Sequence, residues 1–193
     1  MDLVQWRAGL SIAPQRAFLF SDTIGQNVEL AAQVTADEVD RNLPGSALDR
    51  SRRDRVVDLA ALAPDLQSLP SGVDTVVGER GIMLSGGQRQ RVALARALYK
   101  GSSLLLLDDV LSAVDHTTES RLVESLSGSG VLDSRPTTLI VSHRVSAFRG
   151  TDLIIVLDEG RLVAQGTHEK LVAEEGPYRD AWLAQRPTGA ETP

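Results

Sequence analysis

The 193-residue chain has no cysteine. Disulfides, iron–sulfur clusters, thiolate metal sites and thiol nucleophiles are excluded, and a reducing compartment is permitted without being required. Lysine is scarce as well. Lys100 and Lys170 are the two lysines among 20 basic residues. Neither follows a glycine, so the Gly-Lys pair of a phosphate-binding loop is absent from the sequence. Long apolar runs are missing. The most strongly apolar, residues 104–107 and 153–157, are strand-sized and far short of the ~20 residues of a membrane helix. The opening Met1-Asp2-Leu3-Val4-Gln5-Trp6-Arg7 has no basic region leading into an apolar stretch, so no signal peptide is visible. Positive charge is in deficit, with 20 basic against 26 acidic side chains and a net charge of −6. No broad positive field is available to collect nucleic-acid phosphates. What remains is an ordinary globular mixture, 42% apolar and 24% charged. Its length suits one domain or a little more.

Pattern reading gives the following order. Gly9-Leu10-Ser11-Ile12-Ala13 reads as a short strand stopped by Pro14. Ser21-Asp22 can cap a short helix over residues 23–30. A helical pattern runs over residues 35–69, with Thr35 or Asp37 as cap. It is clearest at 52–62, where Val56, Leu59 and Ala60 share one face and Arg52, Arg53 and Arg55 read as a solvated opposite face. Residues 70–81 read as loop. A helix over 86–99 is entered through Ser85-Gly86-Gly87. The four leucines 104–107 predict a strand covered on both faces. Residues 115–126 read as helix and 137–141 as a second buried strand. Residues 152–158 and 161–164 read as a hairpin turned at Glu159-Gly160. Short helices over 168–173 and 178–185 precede a loose tail over 187–193. Buried strands alternating with helices, with a helical middle, predict an α/β core carrying a mostly α insertion from about residue 21 to 100.

The strongest chemical signal is Leu84-Ser85-Gly86-Gly87-Gln88-Arg89-Gln90-Arg91. A serine and two glycines opening a helix direct backbone N–H groups and the positive helix end at an anion. Leu104-Leu105-Leu106-Leu107-Asp108 ends a strand in a carboxylate. Ser112-Ala113-Val114-Asp115 opens a helix, which capping alone would explain. Val141-Ser142-His143 sets a histidine after a strand, and Ala13-Pro14-Gln15 a glutamine after another. Singly, each is common in loops and helix starts.

In this order the pieces resemble the ATP-binding cassette (ABC) ATPases. The octet resembles their signature motif, Leu104 through Asp108 the Walker B strand, Ser112 through Asp115 the D-loop, Val141-Ser142-His143 the switch region and Ala13-Pro14-Gln15 the Q-loop. Asp158-Glu159-Gly160-Arg161 and Gly166-Thr167-His168-Glu169 resemble the strand pair and helix that follow. Phe18-Leu19-Phe20 and Thr23-Ile24-Gly25-Gln26-Asn27-Val28 resemble the exporter branch, whose ATPase domains are fused behind membrane helices. The resemblance implies an α/β fold, a P-loop NTPase-like (RecA-like) parallel-sheet core with an α-helical ABC subdomain inserted. It implies four segments: 1–20 as the end of the core sheet and Q-loop, 21–100 as the α-helical subdomain with the signature, 101–176 as the α/β core with Walker B, D-loop and switch histidine, and 177–193 as the C-terminal helix and tail.

The resemblance also implies ATP and Mg²⁺. Asp108 would hold the ion, Gln15 would sense ion and attacking water, and His143 would contact the γ-phosphate. Ser85, Gly86, Gly87 and Gln88 would bind the γ-phosphate of nucleotide held by a second ATPase domain, with Asp115 and Ser112 across the seam. Partners would be that second domain, identical or more plausibly different, and the transmembrane part of an exporter, with no nucleic acid. The location implied is the cytoplasmic face of a membrane. Two departures qualify this. Walker A, which in the family precedes the Q-loop, is absent. Only 14 residues precede Gln15, so an N-terminally shortened domain is expected, with part of its core uncovered and no tight ATP binding alone. Asp109 stands where the family usually has a water-polarising glutamate. Its side chain is one methylene shorter, about 1.5 Å of lost reach where general-base contact needs about 2.6–3.2 Å. The resemblance places such an aspartate in the degenerate subunit of heterodimeric exporters. The alternative expectation is a vestigial module that completes a partner's site without turnover. Chromosome- and translation-associated relatives are disfavoured by the lack of a long coiled coil or basic face.

Overall fold

A computed structural model describes residues 2–33, 47–78, 81–127 and 136–185. The first elements are α1 (Leu3–Ala8), β1 (Leu10–Ala13), α2 (Ile24–Gln33), α3 (Ala47–Leu59), α4 (Ala63–Ser68) and α5 (Gly86–Lys100). β2 (Leu104–Asp108), α6 (His116–Ser127), β3 (Thr137–Val141), β4 (Ile154–Asp158), β5 (Arg161–Gly166), α7 (His168–Ala173) and α8 (Pro177–Gln185) follow. The expected caps Thr35 and Asp37 and the tail over 187–193 lie outside the described residues. No helix among those residues is long and apolar enough to cross a membrane.

β1, β2 and β3 form a parallel sheet in that spatial order, with Ala13 opposite Leu107 and Asp108 opposite Val141. All three strands run the same way, so their carboxyl ends line one edge. The leucine run of β2 is the central of these three strands, but the expectation that it is covered on both faces is not met, since Leu104 and Leu106 are only partly buried. Side chains alternate between the faces. Ser11, Ala13, Leu105 and Leu107 are buried on one face. On the other, the row Ile12–Leu106–Leu139 and the neighbouring Val141 look outward. There Ile12 is 53% exposed and Leu139 and Val141 are each 54% exposed. The reading of β3 as a buried strand is corrected. It is an edge strand whose outward residues are covered by nothing among the described residues, and a run of apolar letters cannot distinguish that from burial.

α5 is the helix around which the larger core assembles. Val92, Ala93, Leu94, Ala95, Ala97, Leu98 and Tyr99 are all buried. A helix apolar around most of its circumference must be enclosed, and α5 packs on α2, α3 and β1. Each large side chain so enclosed contributes about 1.5–3 kcal/mol relative to exposure. Gly101 ends the helix at φ 65°, the left-handed conformation glycine adopts without strain. Lys100 Nζ donates to the carbonyls of Arg7 (3.1 Å) and Leu10 (2.8 Å), tying this end to the first strand.

Local details refine the sequence reading. Thr23, not Ser21 or Asp22, caps α2: its Oγ1 accepts from the Gln26 N–H at 3.1 Å, while Asp22 accepts from the Thr23 N–H. The helix of residues 52–62 ends at Leu59, because Ala61 takes a left-handed conformation before α4 restarts the chain. Its arginines are not all solvated. Arg53 reaches Glu29 at 3.0 Å and Arg52 stacks over the Tyr99 ring. The β4–β5 hairpin turns at Glu159-Gly160 as expected, both residues with positive φ.

A second, smaller core joins Val145, Ile154, Leu171 and Tyr178, with Phe148 and Trp182 against it. His168 Nδ1 lies 2.8 Å from the Tyr178 hydroxyl, and its ring meets Trp182 edge-on. Burial and the nearby Arg149 charge hold His168 below the ordinary histidine range, and burial pushes Tyr178 up to about 12. A base whose folded pKa is depressed contributes stability that is whole above its unfolded value, about 6.5, and lost as pH falls through the folded value. The His168 Cε1–H resonance should therefore titrate with a midpoint below 6.5, and a midpoint at or above that value contradicts the packing described.

Candidate functional site

The three parallel strands deliver four candidate residues to one edge. Asp108 ends β2, and Asp109 follows with its N–H donating to the Val141 carbonyl at 2.8 Å. His143 lies two residues past β3. Gln15 lies two residues past β1, its carbonyl accepting from Gln90 Nε2 at 3.0 Å. The carboxyl edge of a parallel sheet is where open α/β folds bind ligands. The backbones of Asp109, His143 and Gln15 are held, yet no hydrogen bond or ion pair within the chain engages the side chains of Asp108, Asp109, His143 or Gln15 among the described residues. Polar groups with fixed bases and free ends suit a ligand from outside the chain.

Asp109 has a further feature. Its backbone is left-handed, with φ 51° and ψ 22°. Its carbonyl accepts the Ser112 hydroxyl at 2.7 Å, which helps hold the turn. Aspartate visits this region more readily than most residues because its short side chain bonds locally. Backbone strain of this kind clusters at functional sites.

Ser85 and Gln88 form a reciprocal cap at the start of α5. Gln88 N–H donates to Ser85 Oγ at 3.2 Å, and Ser85 N–H donates to Gln88 Oε1 at 2.9 Å. Two donors of the first turn are thereby used. The N–H groups of Gly86 and Gly87 have no acceptor within the chain among the described residues, and the Ser85 hydroxyl proton is still free to donate. The Gln88 side chain is committed, since its Nε2 also donates to Asp65 Oδ1 at 3.3 Å. A Cβ built on Gly86 would meet nothing within 4 Å. Nothing among the described residues requires glycine there, and the open space is what a close-approaching external group needs.

Asp115 caps α6. It accepts from the N–H groups of Thr117 (2.9 Å) and Thr118 (3.1 Å) and from the Thr118 hydroxyl (2.8 Å). The Thr118 hydrogen bonds hold its carboxyl below the ordinary range. The candidates thus form separate groups. Asp108, Asp109, His143 and Gln15 share the strand edge, whereas Ser85 to Gln88 and Asp115 open two helices. No hydrogen bond joins the α5 start to Asp108, Asp109 or His143 among the described residues.

The donor set bears on the implied Mg²⁺. No three His, Asp or Glu side chains converge to hold a metal among the described residues. A nucleotide-bound Mg²⁺ asks less, one or two carboxylates beside phosphates and water. The adjacent, unengaged Asp108 and Asp109 fit that requirement.

Three supporting residues escaped the sequence reading. Asp65 on α4 holds the first turns of α5, receiving Arg91 at 2.7 Å as well as Gln88. Glu119, 1% exposed, receives Arg144 at 3.1 Å and the Ser146 hydroxyl at 2.6 Å. The same Arg144 donates to the Val114 carbonyl at 2.9 Å and the Ser112 carbonyl at 3.3 Å. The loop before α6 and the segment after β3 are thereby tied to one buried carboxylate. An acid in the first turn of a helix and an arginine beside a histidine carry no pattern that announces this.

Comparison with known proteins bears on these features. The sequence model of a family described as ABC transporter matches residues 1–112. The chain is 38% identical over 96% of its length to the multidrug resistance-like ATP-binding protein MdlA of Escherichia coli. It is 39% identical, again over 96%, to an ATM1-type heavy metal exporter of Novosphingobium aromaticivorans. It spans only 29% and 28% of those two relatives. Among solved structures, a bacterial Atm1-family ABC exporter with ATP bound superposes with a TM-score of 0.77 at 38% identity, covering 99% of this chain and 30% of that one.

Asp65 should matter to the fold of the α5 start. Its carboxylate is half-buried between two donors, and losing charge-assisted bonds of this kind costs about 1.5–3 kcal/mol. Urea unfolding of Asp65→Ala should show a destabilisation of that size with unchanged slope. A change within experimental scatter contradicts the anchoring role.

Proposed function

The chain belongs to the ABC transporter family, and from that premise we propose that it acts as the ATP-binding half-site of a membrane exporter, completing an ATP site carried by a second ATPase domain. The observation that supports this most is the pair of unengaged N–H groups at Gly86 and Gly87, beside a capped and anchored helix start. Two backbone donors at the positive end of a 15-residue helix favour a phosphate. The open space beyond Gly86 lets that phosphate come from another polypeptide.

At the strand edge, Asp108 would hold Mg²⁺ and Asp109 would take the place of the water-polarising carboxylate. Mg²⁺, when bound with ATP, supplies neutralisation of phosphate charge. His143 would donate to a γ-phosphate oxygen, and the carboxamide of Gln15 would orient water at the same edge. The short Asp109 side chain makes this chain's own site the weaker of a pair. That favours a non-identical partner whose nucleotide is closed over by Ser85, Gly86 and Gly87. Gln88 serves this arrangement by holding the helix start rather than by touching phosphate. Asp115 and Ser112 would lie across the seam.

The exposed aromatic pair Phe18 and Phe20, edge-on at 5.0 Å, suits contact with a membrane partner. Arg96 fixes that loop by donating to the carbonyls of Phe18 and Asn27. The ATM1-type relative and the solved structure named above are exporters, and this chain would serve such a protein from the cytoplasmic face. Its four segments, at 1–20, 21–100, 101–176 and 177–193, would divide as core, helical subdomain, core and C-terminal helix.

The Gly-Lys phosphate loop would come from sequence outside these 193 residues, from the same polypeptide or another. The outward apolar row of Ile12, Leu139 and Val141 would pack against it. Calorimetric titration of this chain alone with Mg²⁺ and ATP should then give no binding in the micromolar range. A micromolar dissociation constant contradicts the reading, because the residues present would suffice to cradle the phosphates.

A further inference from the structure

The segment from Ser142 to Ser146 is held unusually tightly for a loop. Ser142 Oγ accepts from the Arg144 N–H at 3.0 Å. The Arg144 guanidinium bonds Glu119 and two carbonyls, Val145 is buried, and Ser146 donates to Glu119. His143 is the exception, with an exposed ring and no partner among the described residues.

Its backbone is clasped from the other side by one side chain. Gln185, the last residue of α8, donates from Nε2 to the His143 carbonyl at 2.8 Å and accepts at Oε1 from the Val145 N–H at 2.9 Å. A carbonyl and the N–H two residues later face the same way along extended chain, and Arg144 between them is extended, with φ −90° and ψ 114°. A primary amide offers one donor and one acceptor side by side. It therefore pairs with this stretch as a neighbouring strand would, and fixes the backbone that carries the His143 ring.

We propose that Gln185 is a positioning residue for His143, making the packing of α8 a determinant of where that ring stands. The proposal rests on the reading of His143 as the γ-phosphate contact. α8 suits the task because it is seated independently: Tyr178 lies in the smaller core, and Arg149 stacks over the Trp182 ring at 4.6 Å. Movement of α8 would reach His143 through two hydrogen bonds, without passing through the sheet.

The test uses Gln185→Met, which keeps length and packing while removing both hydrogen bonds. Hydrogen exchange of the Val145 amide in the full chain should accelerate at least about tenfold, the scale of one lost hydrogen bond. The chain has three histidines, His116, His143 and His168, so ring signals can be assigned singly. The His143 signal should shift, while that of His168, edge-on against α8 at Trp182, should stay. In the assembled exporter carrying Gly86→Glu to silence the partner's site, the residual phosphate release comes from this chain's own site, and its kcat should fall about tenfold, with KM for ATP unchanged. An unchanged Val145 exchange rate overturns the proposal. A His168 signal that shifts with that of His143 also overturns it, because Gln185 would then merely dock α8. If His143→Ala slows release while Gln185→Met does not, the proposal falls alone. If His143→Ala releases phosphate at the wild-type rate, the reading of the site falls and takes the proposal with it.

Discussion

Ser85 and Gln88 close the first turn of α5 on each other, and that closure decides which backbone donors are left over. A helix start has four N–H groups without helical partners. The reciprocal cap takes the Gln88 donor and satisfies Ser85 just outside the helix, and the two glycines between them keep theirs. The rest of the chain holds this arrangement in place. Asp65 grips the helix through Gln88 and Arg91, the helix body is enclosed by α2, α3 and β1, and Lys100 ties its far end to the first strand. The two-glycine turn is thus backed by a whole helix that cannot easily rotate away.

The strand edge follows a related logic. Parallel pairing in register brings the ends of β1, β2 and β3 to one line, so residues nearly 130 positions apart in sequence, Gln15 and His143, reach the same edge. Backbones there are fixed by main-chain and side-chain contacts: Gln90 on Gln15, the Val141 carbonyl on Asp109, Gln185 on His143. Among the described residues nothing engages the side chains. Glu119 adds a link between the loop at residues 112–115 and the segment after β3, since one buried carboxylate and one arginine serve both. A change on either side of that pair would be felt on the other.

Much of this was legible in the sequence where the local pattern is self-sufficient. The Ser-Gly-Gly-Gln start, the four leucines of β2 and the Glu159-Gly160 turn each carry their own physical signature, while the order of motifs spoke only through the family resemblance. Burial of β3 was not legible, because Thr-Thr-Leu-Ile-Val has the same letters whether or not another layer covers it. The cap of α2 was misplaced by one or two residues because Ser21, Asp22 and Thr23 are all competent acceptors. Asp65, Glu119, Arg144 and Gln185 were invisible because their roles exist only through partners distant in the chain. The left-handed backbone at Asp109 likewise leaves no mark in the letters around it.

The central claim is that the start of α5 accepts the terminal phosphate of nucleotide held elsewhere. Its most direct test is phosphate release by a partner ATPase domain bearing the Gly-Lys loop, measured with this chain and with its Gly86→Glu variant. The substitution adds a side chain in open space and a negative charge at a helix start, so the fold should be kept, while a phosphate would be repelled. The account predicts that the wild-type chain stimulates release and that the variant does not. Equal stimulation by both would contradict it.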